Sequence, residues 1–343
     1  METKIKWYEG DGYITATYEG SGSGSASISS DVNEGIDREQ SIKVETTHGN
    51  VPKSENVSIK QLGMREVFLP SDDDFILADG GTFNVLKHIE YVNPILTNYL
   101  TFVALEDGFT ASLSLNSCEY CVDGDGNWKA LSAGTSTEAI NTGQTVSFRG
   151  TITPVSSNGI GTFSLKKKCK LQGDAKSMLF GDNAKNNTSL ANHQYAFMSL
   201  FYNNPNLIEV SDDVLTATTM SLSCYRRMFH GCTGMVRPPS ILPAMELDQY
   251  CYRDMFRNCS SMIEAPILPA KTLKAYCYSY MYYYCTALNK ITALFTTLSP
   301  STATNTWVTG VANTGTFIKA TDATWTTTGV NGVPNGWTII KEG

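Results

Sequence analysis

The sequence predicts a modular fold, β plus α/β, with two β-sandwiches in the first half and then a short solenoid of stacked repeats closed by a C-terminal cap. Two patterns lead there. Through about residue 175, short runs of alternating apolar and polar residues are separated by turn signals every ~8–12 residues, as in small all-β modules. From residue 196 onward a motif recurs at nearly fixed spacing, the mark of a repeat architecture. The length of 343 residues leaves room for several modules at about 100–200 residues each.

Residues 1–63 form the first expected sandwich. Tyr13-Ile-Thr-Ala-Thr-Tyr18 alternates, and Ser25-Ala-Ser-Ile-Ser29 follows a Gly/Ser turn. Gln40-Ser-Ile-Lys-Val-Glu-Thr46 and Glu55-Asn-Val-Ser-Ile-Lys-Gln61 alternate again. Residues 64–88 are expected to be a linker with a hairpin. Residues 89–175 carry a second set of strands: Tyr99-Leu-Thr-Phe-Val-Ala-Leu, Ala111-Ser-Leu-Ser-Leu, Cys118-Glu-Tyr-Cys-Val and Thr145-Val-Ser-Phe-Arg-Gly-Thr-Ile. Asp123-Gly-Asp-Gly-Asn-Trp128 is a tight turn by its Asp, Asn and Gly content.

Residues 176–291 hold the repeats and 292–343 the expected cap. Cys224-Tyr-Arg-Arg-Met-Phe-His-Gly-Cys-Thr-Gly-Met235, Cys251-Tyr-Arg-Asp-Met-Phe-Arg-Asn-Cys-Ser-Ser-Met262 and Cys277-Tyr-Ser-Tyr-Met-Tyr-Tyr-Tyr-Cys-Thr-Ala-Leu288 begin 27 and 26 residues apart. A degenerate copy starts at Ala196. Leu247, Cys251, Met255 and Cys259 fall four apart, which places them on one face of an expected helix. A short extended stretch, Met262-Ile-Glu-Ala, follows before Pro266. One helix and one short strand per copy is the leucine-rich-repeat format, in which stacking buries the apolar face that one copy cannot bury alone. Leu207, Met235, Met262 and Leu288 then form a core stripe. Glu209, Arg237, Glu264 and Lys290 form a ladder of alternating sign if the strands run parallel.

The repeats resemble BspA-type leucine-rich repeats of gut-bacterial surface proteins and their phages, through Leu268-Pro-Ala…Cys277-Tyr and Cys251-Tyr-Arg-Asp-Met-Phe-Arg-Asn-Cys. Tyr282 replaces the pattern's Phe in the third copy. The segments around Leu179-Phe-Gly-Asp-Asn and from Trp307 to the end are similar to that family's flanking regions, so the resemblance covers roughly residues 95–343. The strand order of residues 1–63 resembles an immunoglobulin-like BACON-type domain. Together these resemblances imply an extracellular adhesion module or a virion part, as in crAss-like phages.

Composition narrows the function. Only 17% of residues are charged, below the roughly 25% of an ordinary soluble protein, which suits surface modules better than a metabolic enzyme. A net charge of −7 opposes nucleic-acid binding, which needs a basic footprint. No run reaches the ~18 apolar residues of a membrane span. The residues after Met1 show no apolar run of a secretory signal, which favours assembly in a host cytoplasm. Six of nine cysteines occupy repeat columns and are expected as buried, reduced thiols.

The motifs with possible chemistry have plainer explanations. Cys118-x-x-Cys121 lacks the second pair a zinc site needs. Asp123-Gly-Asp-Gly-Asn127 starts like a calcium loop, but the twelfth position is Gly134 rather than Glu. Asp72-Asp-Asp74 suits a solvated loop. The four histidines, His48, His88, His193 and His230, fall in no catalytic motif, and no phosphate loop or nucleophile turn occurs. No enzyme activity, cofactor or metal is therefore expected.

Arg226/Arg253/Ser279, Arg227/Asp254/Tyr280 and His230/Arg257/Tyr283 are expected as outward columns. Arg and Tyr are common anchors of binding patches. Arg253, Arg257, Tyr280 and Tyr283 are accordingly the candidate ligand contacts. The expected role is a head fibre, tail fibre or capsid decoration protein in a virion assembled in the host cytoplasm. Its expected partners are other capsid or tail proteins, further copies of itself, and a bacterial surface glycan or protein. The competing role is a secreted or cell-surface bacterial adhesin.

Overall fold

The computed structural model describes residues 99–342 apart from Ser157, and before residue 99 the strands alone. The chain divides into two compact units, Met1–Pro94 and Ile95–Gly343. Among the described residues it is mostly β-sheet with few helices.

In the first unit every described pairing is antiparallel. β1 (Lys4–Tyr8) pairs with β4 (Arg38–His48), and β2 (Ile14–Thr17) makes a hairpin with β3 (Ser27–Ser30). β4 pairs with β5 (Val51–Leu62), β5 with β6 (Glu66–Phe68), and β6 with β9 (Ile89–Glu90), giving the sheet order β1-β4-β5-β6-β9. Between them β7 (Phe75–Ile76) pairs with β8 (Thr82–Phe83). Sheet pairing thus continues through the stretch expected as a linker, and the unit extends to Pro94. The acidic run Asp72–Asp74 lies outside the described residues.

The second unit opens with strands where sequence alternation places them: β10 (Leu100–Ala104), β11 (Thr110–Leu113), β12 (Cys118–Val122), β13 (Lys129–Leu131) and β14 (Thr145–Arg149). β15 (Phe163–Lys166), β16 (Cys169–Gln172) and β17 (Leu207–Val210) follow. One sheet has the order β13-β12-β14-β10-β16-β17, and β11 pairs with β15 beside it. The buried rings of Phe102, Phe148 and Phe163 join the two sheets, with centroids 5.0–5.7 Å apart and edges turned to faces.

Residue 175 is no boundary in this unit. β17 belongs to the degenerate first copy, yet it pairs in parallel with β16. The ring of Phe201, in the same copy, stacks on Phe163 at 5.8 Å. One hydrophobic core runs from Leu100 to Trp337.

From there the copies lie one on another. Parallel bridges join Glu209 to Arg237, Ile241 to Ile267, and Glu264 to Lys290. The stacking continues through the expected cap as a parallel sheet of β18 (Lys290–Ala293), β19 (Thr316–Lys319) and β20 (Thr338–Lys341). Leu207, Met235, Met262 and Leu288 are all fully buried, as the core stripe requires.

The expected helix in each copy does not form. Among the described residues the α-helix is the single turn Ser177–Phe180. Each Cys-Tyr-x-x-Met-Phe segment is instead a ribbon of overlapping turns. Alternate amides close a turn to the carbonyl three residues back, as in Cys224→Ser221, Arg226→Ser223, Met228→Tyr225 and His230→Arg227. The intervening amides donate to a neighbouring copy: Arg227→Arg253, Phe229→Met255 and Gly231→Arg257. Ser223, Tyr225 and Arg227 accordingly have φ near +58°, and Tyr250, Tyr252 and Asp254 repeat the pattern. A positive φ at the third residue of each turn is the type II signature. Gly231 takes such a position, and a Cβ there would overlap Asn203 Oδ1 of the preceding copy. The ribbon buries residues in pairs, Cys224-Tyr225 then Met228-Phe229. A four-residue period matches helical spacing over so short a run, which is why the sequence suggests a helix.

Two ring columns thread the ribbon. Phe197, Tyr225, Tyr252 and Tyr278 stack at 5.3–6.1 Å, and Phe201, Phe229, Phe256 and Tyr282 at 5.5–6.1 Å. Trp307 ends both columns. Beside them, Cys232, Cys259 and Cys285 donate their thiols to the carbonyls of Phe201, Phe229 and Phe256 at 2.9–3.1 Å. A cysteine here is small enough for the layer spacing and still supplies a donor.

Two outcomes are expected. Met255→Asp places an unpaired charge at a fully buried position and should unfold the second unit, at a cost of several kcal/mol. A separate melt of the first unit should persist in calorimetry; loss of both in one transition would contradict the division into units. The six repeat cysteines are buried, and burial pushes the Cys232 and Cys277 thiols up to about 12. They should resist alkylation in the folded protein, and all six should titrate once it is denatured without reductant. A count below six refutes this.

Candidate functional site

The ribbon turns residues outward in the gaps between its buried pairs. Arg226 and Arg227 project from one copy, and Arg253 and Arg257 from the next. Tyr280, Tyr283 and Tyr284 occupy the third. Layer stacking brings these residues together. The Arg253 guanidinium lies over the rings of Tyr250 and Tyr280 at 5.6 and 5.8 Å. That of Arg257 lies over Tyr280 and Tyr283 at 5.7 and 4.6 Å. Arg226 lies 6.0 Å from the Tyr250 ring, which stacks on Tyr276 at 5.1 Å. Tyr283 meets Tyr280 and Tyr284 at 5.7 and 4.7 Å.

The four residues chosen from sequence, Arg253, Arg257, Tyr280 and Tyr283, therefore adjoin one another. Two of their expected column mates differ. Asp254 and Ser279 are buried at 1% and 0% exposure rather than turned outward. Asp254 is the hub of the cluster. Its carboxylate lies 3.7 Å from Arg227 Nε and 3.3 Å from Arg253 Nε, and it accepts a 3.2 Å hydrogen bond from Arg257 Nη1. Sequence offered one signal for this, an acidic residue in a column otherwise filled by Arg and Tyr. Tyr250 and Tyr276 were missed because they precede the motif's first cysteine.

The electrostatics are those of crowded like charges. Burial lowers the pKa of Arg226, and the neighbouring Arg227 and Arg253 lower it further. His230 packs against Tyr202 at 4.7 Å. Burial holds its pKa down to about 4, with Arg257 and Arg227 adding to the effect and Asp254 opposing it. The imidazole is neutral at pH 7.

Elsewhere, side chains with possible chemistry are engaged structurally. Asp123 accepts from Gln144 Nε2 at 2.7 Å and from the Thr145 amide at 2.8 Å. Asp125 accepts from the Cys121 thiol and the Asn127 amide at 3.1 and 2.8 Å, closing the tight turn. Among the described residues no group of three or more His, Cys, Asp or Glu side chains could hold a metal ion. A cleft of about 530 Å³ lies at Ile152, Pro154, Leu179, His193 and Tyr195. No helix among the described residues is long and apolar enough to cross a membrane. Comparison with protein-family models, curated proteins and solved structures finds no match to this chain.

The His230 environment sets a pH dependence. Its folded pKa lies below the ordinary 6.5, so the unfolded chain takes up the proton first as pH falls. This contribution to stability is present above about pH 6.5 and is lost as pH drops toward 4. The melting temperature should fall across that window by less in His230→Gln than in the parent protein. Parallel curves would refute the assignment.

Proposed function

We propose that this chain is a non-enzymatic structural and adhesion protein of a bacteriophage particle, serving as a head fibre, tail fibre or capsid decoration protein. The first unit, read as a BACON-like immunoglobulin-like domain, docks on other capsid or tail proteins. The second unit presents a BspA-type leucine-rich-repeat solenoid with a C-terminal cap, carried on a β-sandwich, and contacts a glycan or protein of the bacterial surface. The observation that carries this proposal is the Arg/Tyr face held across successive stacked copies, with Arg253 and Arg257 clasped between rings. Such a face suits recognition, since its side chains lose little freedom on binding.

The buried thiols of the repeats support assembly in a reducing compartment, such as the host cytoplasm. Many copies on one particle would raise a weak single-site affinity, whether as homo-oligomers or as separate subunits. The same repeats would also serve a cell-surface adhesin, and the location of the protein separates the two.

The test is mass spectrometry of purified particles and of washed cell envelopes from one lysate. The chain should be found in the particles, and a form lacking residues 1–94, supplied in trans, should be left out of them. Incorporation of the shortened form would reverse the assigned polarity. A chain confined to the envelope would replace the virion role with the adhesin role.

A further inference from the structure

The Arg/Tyr face carries more positive charge than the described residues neutralise. Arg226, Arg227, Arg253 and Arg257 share it, and among the described residues the one carboxylate within ion-pair distance of any of them is Asp254. Three of the four converge on that single buried group. The Arg257 bond to Asp254 is the one side-chain hydrogen bond these four guanidiniums give to a described residue; each Nε is buried without a hydrogen-bond partner, and the other terminal nitrogens are left for a ligand. The whole chain meanwhile carries a net charge of −7, so this concentration of cations runs against its overall charge.

The arginines are also held in place. Rings flank Arg253 and Arg257 on successive layers, and Asp254 fixes them from beneath. A guanidinium oriented in this way presents a planar fork that matches a carboxylate or sulfate group. An incoming anion would relieve the mutual repulsion that lowers Arg226.

Beside the cations the face is aromatic. Tyr284 is half exposed, with Tyr283 packed on one side of it. Gly310 of the next layer closes another side, where an added Cβ would come within 3.3 Å of the ring. A tyrosine with an apolar ring and a polar tip suits a ligand that has both an apolar face and hydroxyls. Sugar rings have that character and inorganic anions lack it. Cations on two successive layers further favour a polymer with repeated charges over a single small anion.

We propose that this face binds an acidic polysaccharide, a sugar chain bearing carboxylate or sulfate groups. Arg226, Arg227, Arg253 and Arg257 take the anionic groups, and Tyr283 and Tyr284 take the sugar rings. This deepens the adhesion role proposed above and rests on it for its biological setting. Binding is measured on the purified full chain, however, so loss of binding leaves the virion assignment standing. Absence of the chain from particles would likewise leave the binding site standing.

The probes are heparin as a polymer bearing sulfate and carboxylate groups, polygalacturonate as one bearing carboxylates alone, neutral dextran, and duplex DNA as a polyanion without pyranose rings. The full chain should bind heparin or polygalacturonate and not dextran, with affinity falling as salt rises. Arg253→Gln with Arg257→Gln should weaken binding at least tenfold. Arg253→Lys with Arg257→Lys, which keeps the charge and the fold but loses the fork, should also weaken it. Arg237→Gln, in the strand-side ladder, should leave it unchanged, and Tyr284→Ala should weaken it without unfolding the protein. The proposal is overturned if neither acidic polymer binds at low salt, if both the Gln and the Lys pairs bind as the parent does, or if Arg237→Gln weakens binding equally. Binding of DNA as tight as that of the polysaccharides, unaffected by Tyr284→Ala, would overturn the sugar assignment.

Discussion

Every second amide in the turn ribbon finds its acceptor in a neighbouring copy, and the second unit is organised around that requirement. The amides of Arg227, Phe229 and Gly231 reach forward to one copy, and those of Asp254, Phe256 and Asn258 reach forward to the next. In a single copy these donors would be unpaired. Each buried donor left without a partner costs about 1–3 kcal/mol, so the ribbon exists only as part of a stack. An α-helix would satisfy its own amides and would need no neighbour for hydrogen bonding.

The ribbon holds aromatic residues such as Tyr225 and Tyr252 at positive φ, where an L-residue costs roughly 1–2 kcal/mol. The conformation persists because the surroundings over-determine it. The ring columns fix the layer spacing, and thiols at Cys232, Cys259 and Cys285 reach a carbonyl of the previous copy. At the junction β16 gives the first copy, through its strand β17, an edge to stack on. The same register aligns Arg253 and Arg257 with Tyr280 and Tyr283. The arrangement of the face is therefore a property of the stack and not of any one segment.

Much of this was legible in the residues. The 26- and 27-residue periods aligned the buried columns, and columns are insensitive to the backbone path between them. The alternating charges of Glu209, Arg237, Glu264 and Lys290 required only that the strands run parallel. Backbone conformation was not legible, because burial in pairs every four residues satisfies a helix and a turn ribbon alike. The junction at residue 175 was hidden for a related reason. Leu207-Ile-Glu-Val210 looks like any repeat strand, and only the neighbouring β16 makes it the edge of a different sheet. Within the site, spacing located the arginines and tyrosines. It could not show that Asp254 turns inward, since its column mates on either side turn outward.

The charged ladder bears on how such a chain could change in length. Its ion pairs alternate in sign along the stack: Glu209 meets Lys170 of β16 at 3.0 Å and Arg237 at 3.3 Å, and Lys290 meets Glu264 at 2.6 Å. Duplicating a single copy by recombination would set like charges on adjacent strands at one seam. Duplicating or deleting two copies together keeps every neighbour opposite in sign. Exposed pairs of this kind contribute only about 0–1 kcal/mol each, so the preference is mild. Even so, the ladder gives the array an even-numbered unit of inheritance, larger than the repeat itself.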